Sequence, residues 1–268
     1  MDTRHSHRGL ALLLLALPLL FVMIAALVVA ILISPGTPEA AGLPTGAEIC
    51  DRYVEATGGA DTWAKIVNRK TTGVLEIPAQ MLSFEMTIWS ARPNLTYMSM
   101  ANPAFGTIES GVSPDGVVWE KSIMTGPVIK EGEERQMRLN EAQFDGMGRW
   151  REIYQSAECT GEDTLDASAC WTVKLTSKSG TERTVWFDKE SGLIRRIDMS
   201  VPTEAGVVPM SVIPGDYREV DGLLSAHLTV IRVLGQERVM TTKTVEQNIE
   251  MPEGRFDPPD DVKALLEK

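Results

Sequence analysis

The sequence has few of the residues from which active sites and metal centres are built. Its 268 residues include three histidines and three cysteines, and only one histidine, His227, lies beyond residue 7. Zinc sites need histidine and cysteine clustered at short spacing, and neither residue is clustered here. The common nucleophile, phosphate-loop and HExxH signatures are absent as well. The sequence therefore predicts no enzyme, no cofactor and no metal site, with a hydrolase built around His227 as the last alternative.

Positive charge is also scarce. The chain has 26 Lys and Arg against 37 Asp and Glu, which gives a formal net charge of -11 at pH 7. A surface of that sign repels phosphate backbones and anionic headgroups. We therefore expect no nucleic-acid partner and no broad adsorption to anionic membranes.

The N-terminus carries a long apolar run. Leu10–Ile33 has 24 residues without a charge, enough for a helix that spans a bilayer core of about 30 Å. Arg4 and Arg8 precede this run and the next basic residue is Arg52, so the positive-inside bias exports the C-terminal part of the chain. The prediction is a single-pass inner-membrane protein: 1–9 cytoplasmic, 10–33 a transmembrane signal anchor, 34–44 a Pro/Gly/Ala linker, and 45–268 a periplasmic domain. A cleaved signal peptide is the alternative.

Two of the cysteines flank a short turn-rich segment. Cys159 and Cys170 lie on either side of residues 161–168, where they could join the two arms of one hairpin. An exported compartment permits such a bridge. A Cys159–Cys170 disulfide is therefore predicted, with two free thiols as the open alternative. Cys50 is then single and is expected to be a small buried residue on a helix.

The remainder of the chain indicates a mainly β (α+β) fold. Thr45, with Glu48 three residues later, is placed as the N-cap of a first helix that ends at Gly58-Gly59. From Thr71 onward, extended runs of five to ten residues alternate with turn signals, which is typical of a single antiparallel meander. We predict a curled antiparallel sheet of about ten strands, with a mid-chain helix over residues 130–145 that either lies across the sheet or is an ordinary solvated helix.

The clearest element is a hairpin over residues 81–100. Apolar residues alternate with polar ones in its first strand, and a period of two places them on one face of the sheet. Arg92-Pro93-Asn94 then forms the turn. Methionine on such a face suits a pocket for flexible acyl chains, although it also fills cores. The residues predicted to line an acyl-chain cavity are Leu82, Phe84, Met86, Ile88 and Met98.

The order of several short motifs resembles the LolA/LolB fold, and more closely the LolA-like group called outer membrane lipoprotein-sorting proteins. A YVEATGG stretch starts at Tyr53, RPNLxY starts at Arg92, DGxxW starts at Asp115 and FDKESGL starts at Phe187. The resemblance implies an unclosed antiparallel barrel, lidded by helices, whose cavity holds the acyl chains of lipoproteins or related lipids. It also places Arg92 at the position of the family's functional arginine, which ties the barrel to the lid and influences release.

The resemblance and the N-terminus together predict a function. The chain is expected to be a membrane-anchored periplasmic protein that binds lipid or lipoprotein for sorting or transfer. Arg92 and the helix around Met137 are expected to control access to the cavity. The alternative is an envelope sensor or signalling module, which uses the same fold with a filled core to bind a protein partner.

Overall fold

The computed structural model describes residues 42–144, 146–203 and 206–267. Five α-helices lie in these ranges: α1 Gly46–Ala56, α2 Ala60–Lys65, α3 Gly132–Glu141, α4 Trp150–Ile153 and α5 Asp260–Leu266. Two 3-10 helices are Pro78–Gln80 and Gly146–Arg149. The predicted segments 1–9 and 10–33, and most of 34–44, lie outside the described residues. No helix within the described ranges is both long and apolar enough to cross a bilayer.

Thirteen strands form one antiparallel sheet. They are β1 Asn68–Ile77, β2 Leu82–Ala91, β3 Leu95–Asn102, β4 Gly106–Val112, β5 Val118–Ser122, β6 Gly126–Ile129, β7 Tyr154–Leu165, β8 Ser168–Ser177, β9 Glu182–Asp188, β10 Ile194–Thr203, β11 Gly206–Val220, β12 Leu223–Val233 and β13 Gln236–Gln247. The prediction of about ten strands was too low. One reason is β6, whose four residues include Gly126 and Pro127, two residues that sequence patterns associate with turns.

The sheet is two meanders joined in the middle. Its spatial order is β6-β5-β4-β3-β2-β1-β13-β12-β11-β10-β9-β8-β7, so nearly every strand pairs with its neighbour in sequence. The exception is the pair β1–β13, which runs from Arg69 opposite Gln247 to Glu76 opposite Val239. On its other side β1 pairs with β2. The edge strands β6 and β7 do not pair with each other. The sheet is therefore open, as predicted for an unclosed half-barrel.

The predicted helices are present with shorter bounds. Thr45 caps α1 in a capping box: its Oγ1 accepts from the Glu48 backbone N–H at 3.1 Å, and Glu48 Oε2 accepts from the Thr45 N–H at 2.8 Å. The mid-chain helix is α3, which covers Gly132–Glu141 rather than 130–145. It connects β6, at one edge of the sheet, to the segment before β7 at the other edge.

Three groups of apolar side chains form the interior of the described chain. The helix-side cluster joins α1 and α2 to β7–β12, with Tyr53, Phe187 and Leu223 among its fully buried members. The hairpin cluster comes from β1–β4 and includes Leu75, Met100 and Ile108, with Phe105 of the β3–β4 loop and Met240 packed against it. The lid cluster is small and comprises Val112, Val118, Ala142 and Leu139.

Candidate functional site

The predicted hairpin is β2 and β3, paired around the Arg92-Pro93-Asn94 turn. Ile88 lies opposite Met98, and Met86 lies opposite Met100. The alternation predicted for Leu82–Ile88 is therefore real, and its apolar side faces the hairpin cluster. Trp89 and Tyr97 lie on the other side of the sheet, where the guanidinium carbon of Arg255 sits 5.2 Å and 4.8 Å from their ring centroids.

The five predicted lining residues come together in one place. Phe84, Met86, Ile88 and Met98 are buried members of the hairpin cluster, and Leu82 packs against it while partly exposed. Their neighbours are apolar side chains of the same strands, so the face is filled rather than empty. The partly empty cavity that the sequence favoured is reduced to a small space beneath the lid.

The partly open space beneath α3 has a volume of about 30 Å³. Its apolar wall includes Ile88, Met98, Val112 and Val118, so it begins where the hairpin cluster ends. A cavity needs roughly 10–15 Å³ of such volume for each water molecule. It is thus far too small for an acyl chain, and a chain can enter only if α3 or the side chains beneath it move.

The lid helix α3 lies across both halves of the sheet. It contacts β5 on one side and β10 on the other. Leu139 belongs to the lid cluster, whereas Met137 packs against the helix-side cluster. Asn140 Nδ2 donates a hydrogen bond to Ser179 Oγ, in the turn between β8 and β9, at 3.1 Å. Met137, predicted to control access, is thus on the lid but faces the half of the sheet that does not contain the hairpin.

Charged groups attach the lid to β5. A cross-strand row runs from Ile88 through Met98 and Ser110 to Glu120, whose side chain is buried. Glu120 Oε2 lies 3.4 Å from Arg138 Nη2 of the lid and 3.7 Å from Lys130 Nζ. Burial raises the pKa of Glu120, and the two cations oppose that rise.

Lys130 and Arg138 also share a second carboxylate. Glu134 of the lid is four residues after Lys130 and four residues before Arg138. Its Oε1 lies 2.9 Å from Lys130 Nζ and 3.7 Å from Arg138 Nη2. Two cations and two carboxylates therefore form one ionic network at the junction of lid and sheet. Such a network stabilises one arrangement of the two parts and provides little apolar burial.

Glu141, the last residue of α3, is the least compensated charge-bearing side chain at this site. It is 2% exposed, it lines the cavity, and neither carboxyl oxygen has a hydrogen-bond partner within the described residues. Burial raises the pKa of Glu141 to about 8, although Arg183 and Arg138 act in the opposite direction. At neutral pH its carboxyl group is therefore mainly protonated.

Arg92 joins the hairpin turn to both a helix and the lid segment. Its Nε and Nη2 donate to the carbonyl oxygens of Ile66 and Trp63, each at 2.9 Å, at the C-terminal end of α2. Its guanidinium carbon lies 5.9 Å from the ring centroid of Phe144, three residues after the lid helix. The Phe144 N–H donates to the Pro93 carbonyl at 3.0 Å. The geometry places Arg92 between the hairpin turn, α2 and the segment that follows the lid helix, and its role in release stays a prediction.

Two open depressions lie on the helical side of the sheet, and only the first has a mainly polar wall and a residue of the lid. One, of about 470 Å³, includes Arg92, Asn140, Arg149 and Lys178 in its wall. The other, of about 480 Å³, is lined by α1, α4 and the segment before α4. Both are large enough for a small ligand, and the polar wall of the first suits a headgroup or a peptide better than a hydrocarbon chain.

Sequence reasoning missed Glu120, Arg138 and Glu141. Charged residues in a run of helix formers usually face solvent, and Glu134 does lie on the half-exposed side. The available signal was their spacing. Glu134, Arg138 and Glu141 recur at intervals of four and three residues, so they share one face of α3 with Leu139 and Ala142 close by.

The predicted disulfide is wrong. No disulfide joins Cys159 to Cys170. In the register of β7 and β8, Cys159 lies opposite Val173 and Cys170 lies opposite Asp163. The two thiols are therefore offset by three residues, about 10 Å along a strand, which is beyond the reach of a disulfide. Cys50 is buried on α1, as expected.

His227 is the residue around which a hydrolase was considered. His227 is buried on β12, and its Nδ1 lies 3.1 Å from the carbonyl oxygen of Ser225. Within the described ranges, no group of three or more His, Cys, Asp or Glu side chains is placed to hold a metal ion.

Comparison with known proteins gives a fold and no close relative. No family model matches the chain, and no curated protein matches it. Three solved structures are similar. A DUF1329 family protein from Desulfovibrio piger is 12% identical, with 80% of this chain and 98% of that one covered and a TM-score of 0.57. A LolA superfamily protein from Nitrosomonas europaea is 11% identical, with 81% and 99% covered and a TM-score of 0.53.

The third structure is a Vibrio parahaemolyticus domain assigned to the outer membrane lipoprotein-sorting proteins. It is 12% identical, with 82% of this chain and 97% of that one covered and a TM-score of 0.51. Similarity at identities this low shows a shared fold and nothing about function. The open antiparallel sheet of this chain is similar in fold to these LolA superfamily and lipoprotein-sorting structures, as the order of short motifs predicted.

Proposed function

We propose that this protein binds the acyl chain of a lipid or lipoprotein between the hairpin cluster and the lid helix. The observation that carries the proposal is the contrast between the two surfaces that meet there. The sheet beneath the lid presents Ile88 and Met98, which belong to the hairpin cluster, whereas Arg138 and other charged groups attach the lid to β5. If the polar lid helix moves away, a hydrocarbon chain can take its place against these apolar side chains.

The driving force is apolar burial. Transfer of one methylene group from water to an apolar site contributes about 0.8 kcal/mol, so a chain of a dozen carbons supplies several kcal/mol even after the lid is displaced. Met86, Met98 and Met100 suit this exchange, because their unbranched side chains adopt several rotamers and can repack around a ligand. Arg92, which contacts both α2 and Phe144, would then transmit lid movement to the hairpin turn.

The wider role is inferred from the N-terminus and the fold. With residues 10–33 as a membrane anchor, the domain would face the periplasm and would receive or hold lipoproteins close to the inner membrane rather than carry them across the periplasm. Two LolA-type neighbours, one assigned to outer membrane lipoprotein sorting, are consistent with this role.

The small volume beneath the lid favours a second candidate function. A space of about 30 Å³ holds no chain, and a filled interior is what a sensor or signalling module with this fold would need. In that case the partner would be a protein, and the polar depression beside Arg92 offers it a peptide-sized site.

Cross-linking with a photoactivatable fatty acid tests the main proposal. The full chain is labelled, digested and mapped by mass spectrometry, and adducts are expected on peptides of β2 and β3 but not on α1. A lid-locked variant, Val118→Cys with Ala142→Cys in a Cys159→Ser background, uses two members of the lid cluster, one on β5 and one directly after α3. Oxidation should abolish labelling, and reduction of the same sample should restore it.

The reduced and oxidised states of one variant are matched controls, because they differ only in lid freedom. Equal labelling in both states, or adducts confined to the outer surface, would exclude a chain site beneath the lid. Absence of any labelling in wild type and reduced variant alike would favour the protein-binding alternative.

A further inference from the structure

The space beneath the lid has an apolar part and a polar part. Its apolar wall includes Ile88 and Met98, and its polar residues include Ser110, Arg138 and Glu141. Ile88, Met98 and Ser110 lie in one cross-strand row, which passes from β2 through β3 to β4. The row therefore changes from apolar to polar at β4. A ligand in which a hydrocarbon chain is joined to a polar group matches this order.

Glu141 has hydrogen-bonding capacity that the described chain does not use. Its side chain is 2% exposed, and neither Oε1 nor Oε2 has a hydrogen-bond partner within the described residues. Buried polar atoms of folded proteins nearly always have such a partner, from the protein, from water or from a ligand. Glu141 also lines the space beneath the lid. We therefore expect its partner to be a molecule that enters this space.

The nearest cations leave the Glu141 carboxyl group available. Arg138 Nη2 lies 3.4 Å from Glu120 Oε2 and 3.7 Å from Glu134 Oε1. Arg138 and Arg183 lower the pKa of Glu141 through their charge, but burial has the larger effect and raises that pKa to about 8. The carboxyl group is therefore mainly protonated at neutral pH. In that form it carries one O–H that can donate a hydrogen bond.

The charges around the space favour a neutral ligand group. A cationic group would be buried close to Arg138, and an anionic group would compete with Glu120 and Glu134 for the same guanidinium. Burial of a charge without a full set of partners is costly. The protonated Glu141 and the Ser110 hydroxyl are both hydrogen-bond donors, and a carbonyl oxygen accepts up to two hydrogen bonds. A neutral carbonyl therefore suits this lining.

The size of the space agrees with one such group. Its volume of about 30 Å³ corresponds to about two water-sized groups, at roughly 10–15 Å³ each. A carbonyl group fits without the chain that is attached to it, and the chain needs the lid to move. Ordered water is the alternative occupant of a polar space of this size. A ligand group displaces such water without loss of affinity only if it makes the same hydrogen bonds.

We propose that Glu141, together with Ser110, binds the carbonyl oxygen of a fatty acyl group beneath the lid. The ligand class is a neutral acyl ester or amide, whose chain lies against Ile88 and Met98. The inference rests on the proposed function, because the chain is the one that binds between the hairpin cluster and the lid helix. It adds that the site distinguishes an acyl chain from an alkyl chain of the same length.

Lipid probes that differ only in the carbonyl test the inference on the full chain. The protein is reconstituted in vesicles of a dialkyl phosphatidylcholine, which has no carbonyl group. Photoactivatable lysophosphatidylcholines of equal chain length are added, with the chain joined through an ester, an ether or an amide. The probe concentration that gives half-maximal adducts on β2 and β3 peptides measures relative affinity. Wild type should bind the ester or the amide about five- to tenfold more tightly than the ether, as expected for one or two hydrogen bonds.

The ester and amide probes distinguish the two sources of the carbonyl. Tighter binding of the ester probe identifies a glycerolipid, and tighter binding of the amide probe identifies an acylated protein.

Substitutions assign the preference to the polar residues. Glu141→Leu should bind the carbonyl and ether probes equally, and Glu141→Gln, which keeps a neutral donor of similar length, should retain most of the preference. Ser110→Ala should lower it about two- to threefold. Glu133→Leu replaces an exposed glutamate of the same helix and should keep the wild-type preference. Ether binding that Glu141→Leu retains shows that its chain site is intact.

The two proposals fail in different ways. Equal binding of the three probes by wild type means that water alone occupies the polar space, which overturns the carbonyl site and leaves the chain site standing. A preference that survives in Glu141→Leu overturns the carbonyl site as well. If none of the probes labels β2 or β3 in wild type, the chain site itself is wrong and the carbonyl site falls with it.

Discussion

The half of the sheet formed by β7–β12 is packed by helices, whereas the half formed by β1–β6 is covered by a lid that charged groups attach. In the first half, Tyr53 of α1 and Phe187 of β9 are fully buried, with ring centroids 6.0 Å apart. In the second half, the hairpin cluster packs upon itself, and the lid reaches β5 through Arg138 and Glu120. Burial of large aromatic side chains fixes one packing, while an ionic junction can open at lower cost. The difference predicts that the first half is the more stable one and that the lid opens before it does.

Phe187→Ala should have the largest effect on the free energy of unfolding, because it removes a buried side chain from the half of the sheet that the helices pack against. Phe187 is 1% exposed and contacts Tyr53, so its truncation leaves a cavity and costs about 3–5 kcal/mol of unfolding free energy. Urea unfolding followed by circular dichroism measures the loss. Trp186→Ala, one residue away on the opposite face of β9, is the matched control. A Phe187→Ala protein as stable as that control would contradict the assignment of the core.

The pH dependence of stability should depend on Glu141. Its pKa is raised from 4.5 to about 8 in the folded protein, so the folded state binds more protons than the unfolded state between these values. Stability therefore falls as pH rises through this window, by about 3 kcal/mol between pH 5.5 and 8 at roughly 1.4 kcal/mol per unit. Glu141→Gln, which stays neutral, should flatten the profile when urea unfolding is repeated across this range. A wild-type profile that rises with pH would refute the buried, protonated carboxyl group.

Arg138→Met should loosen the lid without loosening α1. Removal of one partner of a buried pair costs about 3–5 kcal/mol in general, and we expect about 2 kcal/mol here because Lys130 remains 3.7 Å from Glu120. Hydrogen exchange should accelerate in residues 132–141 and stay unchanged in 46–56. The double variant Arg138→Met with Glu120→Leu should recover most of the protection, since it leaves no unpaired charge. Uniform acceleration across both helices would mean that the two halves do not open separately.

Thr45→Ala should have the smallest effect, and it tests whether a change in the helix-packed half leaves the lid unchanged. It removes the capping box of α1, which costs about 1 kcal/mol. The loss should appear in urea unfolding and in exchange at the first turn of α1, while residues 132–141 keep their protection. Thr45→Ser, which retains the hydroxyl group, is the control. A change at the lid in Thr45→Ala would show that α1 and α3 are coupled.

Local patterns predicted the parts of the fold that depend on local chemistry. The alternation from Leu82 to Ile88 identified the buried face of the hairpin, and Thr45 with Glu48 identified the start of α1. The site between lid and sheet was not predictable in the same way. Glu120 and Arg138 are 18 residues apart, and their pairing depends on how α3 crosses the sheet. The prediction of a disulfide was wrong for a related reason: two cysteines on one hairpin can be bridged only if the strand register places them opposite each other.

The pairing of β1 with β13 has a consequence for how the chain is made. Asn68 and Asn248 lie next to each other at this seam, where the Asn248 N–H donates to the Asn68 carbonyl at 3.0 Å. A ribosome completes β1 long before β13 exists, so each meander can form while the edge of β1 stays unpaired. The centre of the sheet is therefore its last part to be assembled, and a nascent chain stalled before β13 presents a bare strand edge to its neighbours.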